Sequence, residues 1–345
     1  MKIGCVINIE GRKYERLGEC AKRSFAKWHP DIPLHCITPS EHLVELASHE
    51  PLLKQVSSEN FGTGIMNFIY ALALMKKHSY DKIIILGADT LTCARLNEFI
   101  DNNEDDILVS LGMLFPLVYP VFHPDIKTFS TTETPTLYHP DDPEKITYAH
   151  YNSDVVCFNT RSALEEVISA SLLHVMSVDV MEYRHQVHKI NMERITKKQQ
   201  PATTDIYFEM GGLNIITSLS HYNQTGYFGP ELDLQLPSYK VKCVDGPLYE
   251  DSEVSYNVQS KGPDIPADGE KPWKKYTNKF YVKDDALFTG DHKRIKVWHY
   301  ADGFYALEDE EFEALINKWI SEWFNEDTKV FFADHCDSGD FFEKE

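Results

Sequence analysis

Hydrophobic and polar positions in the first hundred residues follow two alternating periods. Residues 2–8 and 33–37 are short apolar runs typical of strands, and residues 82–86 (Lys-Ile-Ile-Ile-Leu) are an almost unbroken aliphatic run. Such a run is typical of a central strand that is buried on both faces. Between these runs, Tyr14 to Trp28 and Phe61 to Lys77 repeat apolar residues at helical spacing. The order β-α-β-α-β predicts an α/β fold with a mostly parallel central sheet flanked by helices.

The second half of the chain predicts fewer regular elements. Residues 115–150 contain six prolines and are expected to form an ordered loop excursion. Tyr151 to Asn159 predicts a second buried strand, and a helix should follow from Ser162 to His188. Near the end, Phe312 to Phe324 repeats apolar residues along one helical face and carries acidic residues on the other. This pattern favours an amphipathic helix that docks onto the core rather than onto a membrane.

Composition narrows the classes of function. The 34 Lys and Arg residues against 54 Asp and Glu residues give a net charge of −20, which opposes binding to nucleic acids and anionic membranes. No apolar stretch is long enough to span a bilayer. The seven cysteines are an odd set without a C-x-x-C pair, which argues against a disulfide framework and a zinc ribbon. We therefore expect a cytoplasmic protein of undetermined oligomeric state.

The charge of −20 also constrains any anionic substrate. A diphosphate can bind such a protein only where a local cation offsets the repulsion. A metal ion is one source of that positive charge. The other possible source is the only local basic cluster in the sequence, Lys271, Lys274, Lys275 and Lys279. The alternative is that these lysines only form a solvated loop.

The search for a site begins directly after the central strand. Ligands of open α/β sheets bind at the carboxyl ends of the strands, and the residues there are Gly87, Ala88 and Asp89. A carboxylate at that position can hold a hard divalent cation beside a diphosphate. The alternative is that Asp89 only begins a turn or caps a helix.

The segment from Tyr80 to Leu91, Y-D-K-I-I-I-L-G-A-D-T-L, resembles the D-x-D region of type-A-fold (GT-A) glycosyltransferases. It is most similar to the group of glycogenin and the lipopolysaccharide galactosyltransferases, glycosyltransferase family 8. Gly87 stands where the family has its first Asp, and Asp89 retains the second. The resemblance implies that Gly87, Ala88 and Asp89 contact the nucleotide and that Asp89 binds Mn²⁺ or Mg²⁺.

Two further segments resemble the same family and imply donor contacts. Asn8, at the end of the first strand, and Tyr14 take the places of residues that hold the uracil and ribose. Asn152 and Ser153 match the family's F-N-S-G strand and are implied to bind the donor. Asp154 replaces the glycine of that motif, so it either alters the sugar or acceptor pocket or adds a ligand that the site otherwise lacks.

Two later segments complete the resemblance. Glu209 to Asn214 aligns with D-Q-D-x-L-N, with Gly211 in place of the second Asp. Glu209 or Asp154 is implied to stabilise or position the reacting centre, and Asn214 to contact the donor. Lys296 to Gly303 resembles V-x-H-x-x-G, whose His binds the metal, which implies that His299 is a ligand. A lone strand histidine is otherwise most often a hydrogen-bonded core residue.

Together these segments imply a GT-A type, Rossmann-like glycosyltransferase domain over residues 1–305, with loop and helical additions. Residues 1–110 would form the nucleotide-binding half, residues 111–305 the donor and acceptor half, and residues 306–345 a helix and acidic tail. The enzyme would move a sugar from a UDP-sugar to a glycan or other hydroxyl acceptor with metal assistance and retention of configuration.

Three alternatives stay open on the sequence alone. An inverting route would need Glu209 or Asp154 as general base. A catalytically silent sugar-nucleotide or glycan-binding module would explain the glycines at 87 and 211. A nucleotidyltransferase would share the same sheet, but no Gly-rich phosphate loop with Lys or Arg occurs near the N-terminus.

Overall fold

A computed structural model describes the two halves of the chain unequally. Most of the first 116 residues are covered, and the second half is covered in shorter segments. The described residues are 1–9, 12–57, 63–116, 147–176, 192, 196, 213, 216–217, 220, 238–244, 254–255, 258–259, 280–289, 292–299 and 310–325. Within them, every helix is too short or too polar to cross a bilayer.

The described elements begin with the strand–helix alternation that the apolar pattern predicts. The strands are β1 Ile3–Asn8, β2 Leu34–Ile37, β3 Lys82–Leu86, β4 Thr90–Thr92, β5 Ile107–Pro116, β6 Thr147–Phe158, β7 Val241–Cys243, β8 Val254–Ser255, β9 Val258–Gln259, β10 Phe280–Lys283, β11 Ala286–Thr289, β12 Arg294–Ile295 and β13 Val297–His299. The helices are α1 Arg12–Trp28, α2 Pro39–Leu46, α3 Thr63–His78, α4 Asn97–Asp101, α5 Arg161–Val175 and α6 Glu310–Phe324, with a short 3₁₀ helix at Pro51–Lys54.

The central sheet has six strands in the order β2-β1-β3-β6-β5-β7. The pairs β1–β2, β1–β3 and β5–β7 are parallel, and β6 pairs antiparallel with both β3 and β5. The predicted α/β fold with a mostly parallel sheet is confirmed. The carboxyl ends of β1 and β3 meet at one edge, because Ile7 lies opposite Leu86.

The alternation of side chains along the central strands creates two hydrophobic layers. Helices α3 and α5 cover one layer, and α1 covers the other, so the sheet is enclosed on both faces as the aliphatic run at 82–86 predicts. The first layer contains Val6, Ile83, Ile85, Val109 and Val156, and the second contains Cys5, Ile7, Ile84, Leu86 and Val155.

Of two predictions for the middle of the chain, one needs correction and the other is confirmed over the described residues. The loop predicted over 115–150 is wrong at both ends, because β5 extends to Pro116 and β6 begins at Thr147. Pro116 is the last residue of its strand, where a missing N–H donor disturbs the ladder least. The helix predicted from Ser162 is confirmed over Arg161–Val175, and residues 117–146 and 177–191 lie outside the described ones. The division at residue 305 stays a prediction.

A further hydrophobic cluster joins α1 to the C-terminal helix and to the small sheets β4-β13-β9 and β10-β11-β12-β8. In α6, Ile316, Trp319 and Ile320 are buried against Leu17 and Trp298. The prediction that this amphipathic helix docks onto the core is therefore confirmed. The cluster also holds β13, which ends in His299.

Candidate metal centre

A tight turn directly after β3 fixes the position of Asp89. The hydroxyl of Thr90 donates to the carbonyl oxygen of Gly87 at 2.7 Å, and the Thr90 backbone N–H donates to the same oxygen at 3.3 Å. Ala88 is buried in the second hydrophobic layer and anchors the turn. Asp89 consequently lies just beyond the carboxyl end of a strand that is buried along its whole length.

His299 reaches the same place from the other end of the chain. Strand β13 pairs antiparallel with β4, which puts His299 opposite Thr90, the residue after Asp89. The His299 Nε2 atom lies 3.3 Å from Asp89 Oδ1. Both side chains are largely buried, with exposed fractions of 6% for His299 and 15% for Asp89.

Asp154 comes from the neighbouring strand of the central sheet. Leu86 pairs with Val155, and the Gly87 N–H donates to the Asp154 carbonyl at 2.8 Å, so Gly87 and Asp154 lie directly opposite each other. One ligand atom from each of Asp89, Asp154 and His299 lies within 4.8 Å of the others. In the part of the chain that the structure describes, these three side chains form the single His, Cys, Asp or Glu cluster with such spacing.

Two carboxylates lie close together in this cluster, beside one imidazole. The pKa of Asp154 is raised to about 6, mainly by burial and also by the negative charge of Asp89, while His299 and a hydrogen bond from Asn67 oppose the rise. Two carboxylates and an imidazole in a partly buried site are a donor set that can bind a divalent metal ion. The residues present thus fit a divalent cation.

Asn67 supports the cluster from α3 and is a residue that the sequence motifs missed. Its Nδ2 atom donates to Asp154 Oδ1 at 3.3 Å, and its side-chain oxygen is buried without a hydrogen-bond partner in the described structure. Buried acceptors are nearly always satisfied, so this oxygen is available to a ligand donor. The signal in the sequence is a lone amide inside the buried, mostly aliphatic stretch 65–75.

Asn8 ends β1 at the same sheet edge, since it follows the pair formed by Ile7 and Leu86. Its side-chain oxygen is likewise buried and without a hydrogen-bond partner among the described residues. Tyr14 lies on α1, partly buried against hydrophobic residues of two clusters.

The other predicted site residues are described only in part. Ser153 is buried next to Asp154 on β6, with its side chain on the opposite face of the sheet because strand residues alternate. For Asn152 only the backbone, within β6, is described. Glu209, Asn214 and the lysine cluster at 271–279 lie outside the described residues.

Comparisons with known proteins find similarity at the level of solved structures. No protein-family model matches the chain, and no curated protein matches it. The galactosyltransferase LgtC, in complex with donor and acceptor sugar analogs, is 15% identical, and the alignment covers 92% of this chain and 96% of that one with a TM-score of 0.35. Mouse xyloside xylosyltransferase 1 is 11% identical, with 87% and 98% of the two chains covered and a TM-score of 0.40.

A third similar structure is a glycosyltransferase involved in glycosylation of the major capsid of PBCV-1. It is 11% identical, with 92% and 99% of the two chains covered and a TM-score of 0.34. All three structures are glycosyltransferases, the class of protein that the sequence segments resemble. Because the identities and TM-scores are low, the reaction of this chain is inferred from its own residues.

Proposed function

We propose that the protein is a glycosyltransferase that transfers a sugar from a nucleotide sugar, a UDP-sugar, to a glycan or other hydroxyl acceptor with the help of Mn²⁺ or Mg²⁺. The observation that carries the proposal is the convergence of Asp89, Asp154 and His299 at the carboxyl edge of the sheet. Ligands of open α/β sheets bind at this edge. The donor set is one that favours a hard divalent cation.

The net charge of −20 supports a metal-dependent site. A nucleoside diphosphate is repelled by this protein unless positive charge lies close to the binding position. When bound, the cation would supply that charge to the diphosphate of the donor and would stabilise the diphosphate as it leaves. Asp89, Asp154 and His299 would hold it.

The neighbouring polar residues have separate roles in the proposal. Asn67 fixes one carboxylate oxygen of Asp154 through its 3.3 Å hydrogen bond. The unpartnered side-chain oxygen of Asn8 would accept a hydrogen bond from the uracil or ribose of the donor. Glu209 is proposed to act at the reacting centre, with retention of anomeric configuration, as the sequence resemblance implies.

Binding measurements test the site first. UDP and several UDP-sugars would be titrated with and without Mn²⁺ while the fluorescence of the five tryptophans is followed. We expect binding that requires Mn²⁺ and that is lost in Asp89→Ala. An Asp284→Asn variant is the control, because Asp284 is exposed and its positive φ of 53° is one that Asn tolerates. Binding that ignores both Mn²⁺ and the Asp89 change would contradict the proposal.

Turnover measurements then separate an enzyme from a binding module. We expect one UDP-sugar to release free UDP slowly by hydrolysis and faster when a suitable hydroxyl acceptor is added. Tight UDP-sugar binding with no UDP release under any condition would instead favour a binding module. Product NMR of the anomeric linkage would distinguish retention from inversion.

A further inference from the structure

Gly87 is confined by the side chain opposite it. A Cβ atom added to Gly87 would lie 2.9 Å from the Asp154 Cβ, 3.2 Å from the Asp154 Cγ and 2.9 Å from Asp89 Oδ1. Contacts this short are below the van der Waals separation of about 3.5–4.0 Å. The space into which a side chain at position 87 would project is therefore the space that the Asp154 carboxyl group fills.

The two strands cannot easily separate to make room. The Gly87 N–H is bonded to the Asp154 carbonyl at 2.8 Å, and the adjacent pair, Leu86 and Val155, is almost completely buried. The φ of Gly87 is outside the left-handed region, so its backbone would accept another residue. The glycine is required by space and not by conformation.

We infer that positions 87 and 154 form one ligand position shared by two strands, which holds a single carboxylate, supplied here by Asp154. A carboxylate moved from position 154 to position 87 would then serve the same cation. The inference rests on the cation of the proposed function, but it does not depend on the donor sugar or on turnover.

The direction of the Cα–Cβ bond at position 87 carries this inference. That bond points toward both Asp154 Cγ and Asp89 Oδ1, so an aspartate at 87 would begin inside the cluster. With glycine at 154, the Asp154 atoms that would clash are gone, and only Asp89 Oδ1, the end of a rotatable side chain, remains close to the new Cβ. Asn67, which now donates to Asp154 Oδ1, would have an acceptor within the same volume.

The experiment is a reciprocal exchange with an uncharged isostere as control. The variants are Gly87→Asp, Asp154→Gly, the exchange Gly87→Asp/Asp154→Gly, and the control Gly87→Asn/Asp154→Gly. Binding of Mn²⁺ alone would be measured from the electron paramagnetic resonance signal of the free ion. We expect the exchange to bind Mn²⁺ within about threefold of the parent protein. Both single variants and the Asn control should bind about tenfold more weakly or worse.

The outcomes separate this inference from the proposed function. An exchange variant that binds Mn²⁺ no better than the Asn control overturns the inference and leaves the proposed function intact. A parent protein that binds no Mn²⁺ overturns both. Mn²⁺ binding by the parent and the exchange, with no release of UDP by either, supports the inference and contradicts the proposed enzyme.

A stability measurement keeps the inference testable if the exchange folds poorly. The loss of melting temperature caused by Gly87→Ala would be compared in the parent and in the Asp154→Gly background. We expect a clearly smaller loss in the Asp154→Gly background, because the Asp154 atoms that clash with the new Cβ are absent and the remaining close atom, Asp89 Oδ1, belongs to a side chain that can move. An equal loss in both would mean that the two positions do not share one space.

Discussion

At the residue scale, the Asn67 amide connects helix α3 to the candidate metal centre. Its Nδ2 atom donates to Asp154 Oδ1, and its oxygen is buried without a partner in the described structure. Residues of this kind orient a ligand carboxylate and are retained for binding rather than for stability. Replacement of Asn67 should therefore change cation affinity strongly and folding stability only slightly.

We predict that Asn67→Leu weakens Mn²⁺ binding by about tenfold to a hundredfold. The free energy of unfolding should change little, because the removal of an unsatisfied buried oxygen offsets the loss of the hydrogen bond to Asp154. Isothermal titration with Mn²⁺ and urea unfolding would measure the two effects. Met66→Leu, at a buried neighbouring position, is the control and should leave Mn²⁺ affinity unchanged. Equal effects of the two substitutions on affinity would contradict the role of Asn67.

His29 provides a second prediction at this scale, concerning pH. Its ring lies 4.8 Å from that of Phe25, and Nε2 accepts a hydrogen bond from the Leu96 N–H at 3.1 Å. The pKa of His29 is lowered from 6.5 to about 4, mainly by burial and also by the positive charge of Arg95. Between pH 6.5 and about 4 the unfolded state binds the proton and the folded state does not. The contribution of His29 is therefore complete above pH 6.5 and is lost as the pH falls.

The variant His29→Gln keeps a hydrogen-bond acceptor but does not titrate. Its stability, measured by urea unfolding at several pH values, should fall less steeply than that of the parent protein below pH 6.5. At each pH, the free energy of unfolding of the variant is subtracted from that of the parent protein, which cancels the contribution of all other titrating groups. Identical slopes would show that His29 titrates normally in the folded protein.

The sequence motifs point to single residues and say little about the relations between them. Asp89 and His299 come from two separate segments, and the structure brings them within 3.3 Å. Gly87 and Asp154 are separate departures from the family pattern, and an added ligand is only one interpretation of Asp154. Their relation depends on the register of β6 against β3, which no local pattern encodes. Asn67 was missed because it follows no motif.

At the element scale, a buried lysine connects the central strand to a short helix. The Lys82 side chain is fully buried, and its Nζ atom donates to the carbonyl oxygens of Phe99 at 2.7 Å and Ile100 at 3.0 Å. These carbonyls belong to the last turn of α4, which has no intrahelical donors for them. Lys82 thus caps a helix C-terminus with a positive charge.

We predict that Lys82→Met lowers the free energy of unfolding by about 1–3 kcal/mol, because the substitution leaves buried carbonyls unpaired while it keeps the length of the side chain. Chemical denaturation would measure the change. Lys77→Met is the matched control, since Lys77 forms a surface ion pair with Glu45 and the loss of an exposed pair should lower stability clearly less. Equal losses for the two variants would show that the cap adds no stability.

The elements that the sequence predicted well are the ones with a sustained period. Strand β3 and helices α1 and α6 have long apolar repeats, and their bounds agree closely with the pattern. The small strands β8 to β13 span two to four residues each and carry too few positions to show a period. His299 owes its place to one of them, β13, through a pairing with β4 that only the folded chain reveals.

At the scale of the whole molecule, α6 closes the cluster that holds β13 against α1. Trp319 is almost fully buried there, and the Lys27 ammonium lies 4.6 Å from the centre of its ring. We predict that Trp319→Ala lowers the free energy of unfolding by about 3–5 kcal/mol through loss of packing. Thermal and urea unfolding would measure it. The control is Lys318→Ala, one residue earlier and half exposed, which should lower the free energy of unfolding by less than about 1 kcal/mol. Equal losses for Trp319→Ala and Lys318→Ala would mean that α6 is only loosely attached.

The charge of −20 leads to a prediction for the molecule as a whole. Without a divalent cation, the field around the protein repels UDP, and salt screens that repulsion over a Debye length of about 30 Å at 10 mM and about 10 Å at 100 mM. Metal-free UDP affinity, measured by fluorescence titration, should therefore rise as NaCl is increased over this range. With saturating Mn²⁺ the charge nearest to UDP is that of the cation and is attractive, so UDP affinity should stay level or fall as NaCl is increased.

Uncharged uridine is the control, and its affinity should be independent of salt in both conditions. The sign of the metal-free salt dependence distinguishes the two sources of positive charge that an acidic protein can offer a diphosphate. If lysine side chains such as those at 271–279 supplied the charge, UDP would bind without metal and its affinity would fall with salt, as it does for proteins that neutralise phosphates with Lys and Arg. A rising affinity without metal, together with a level or falling one in Mn²⁺, requires a cation at the site.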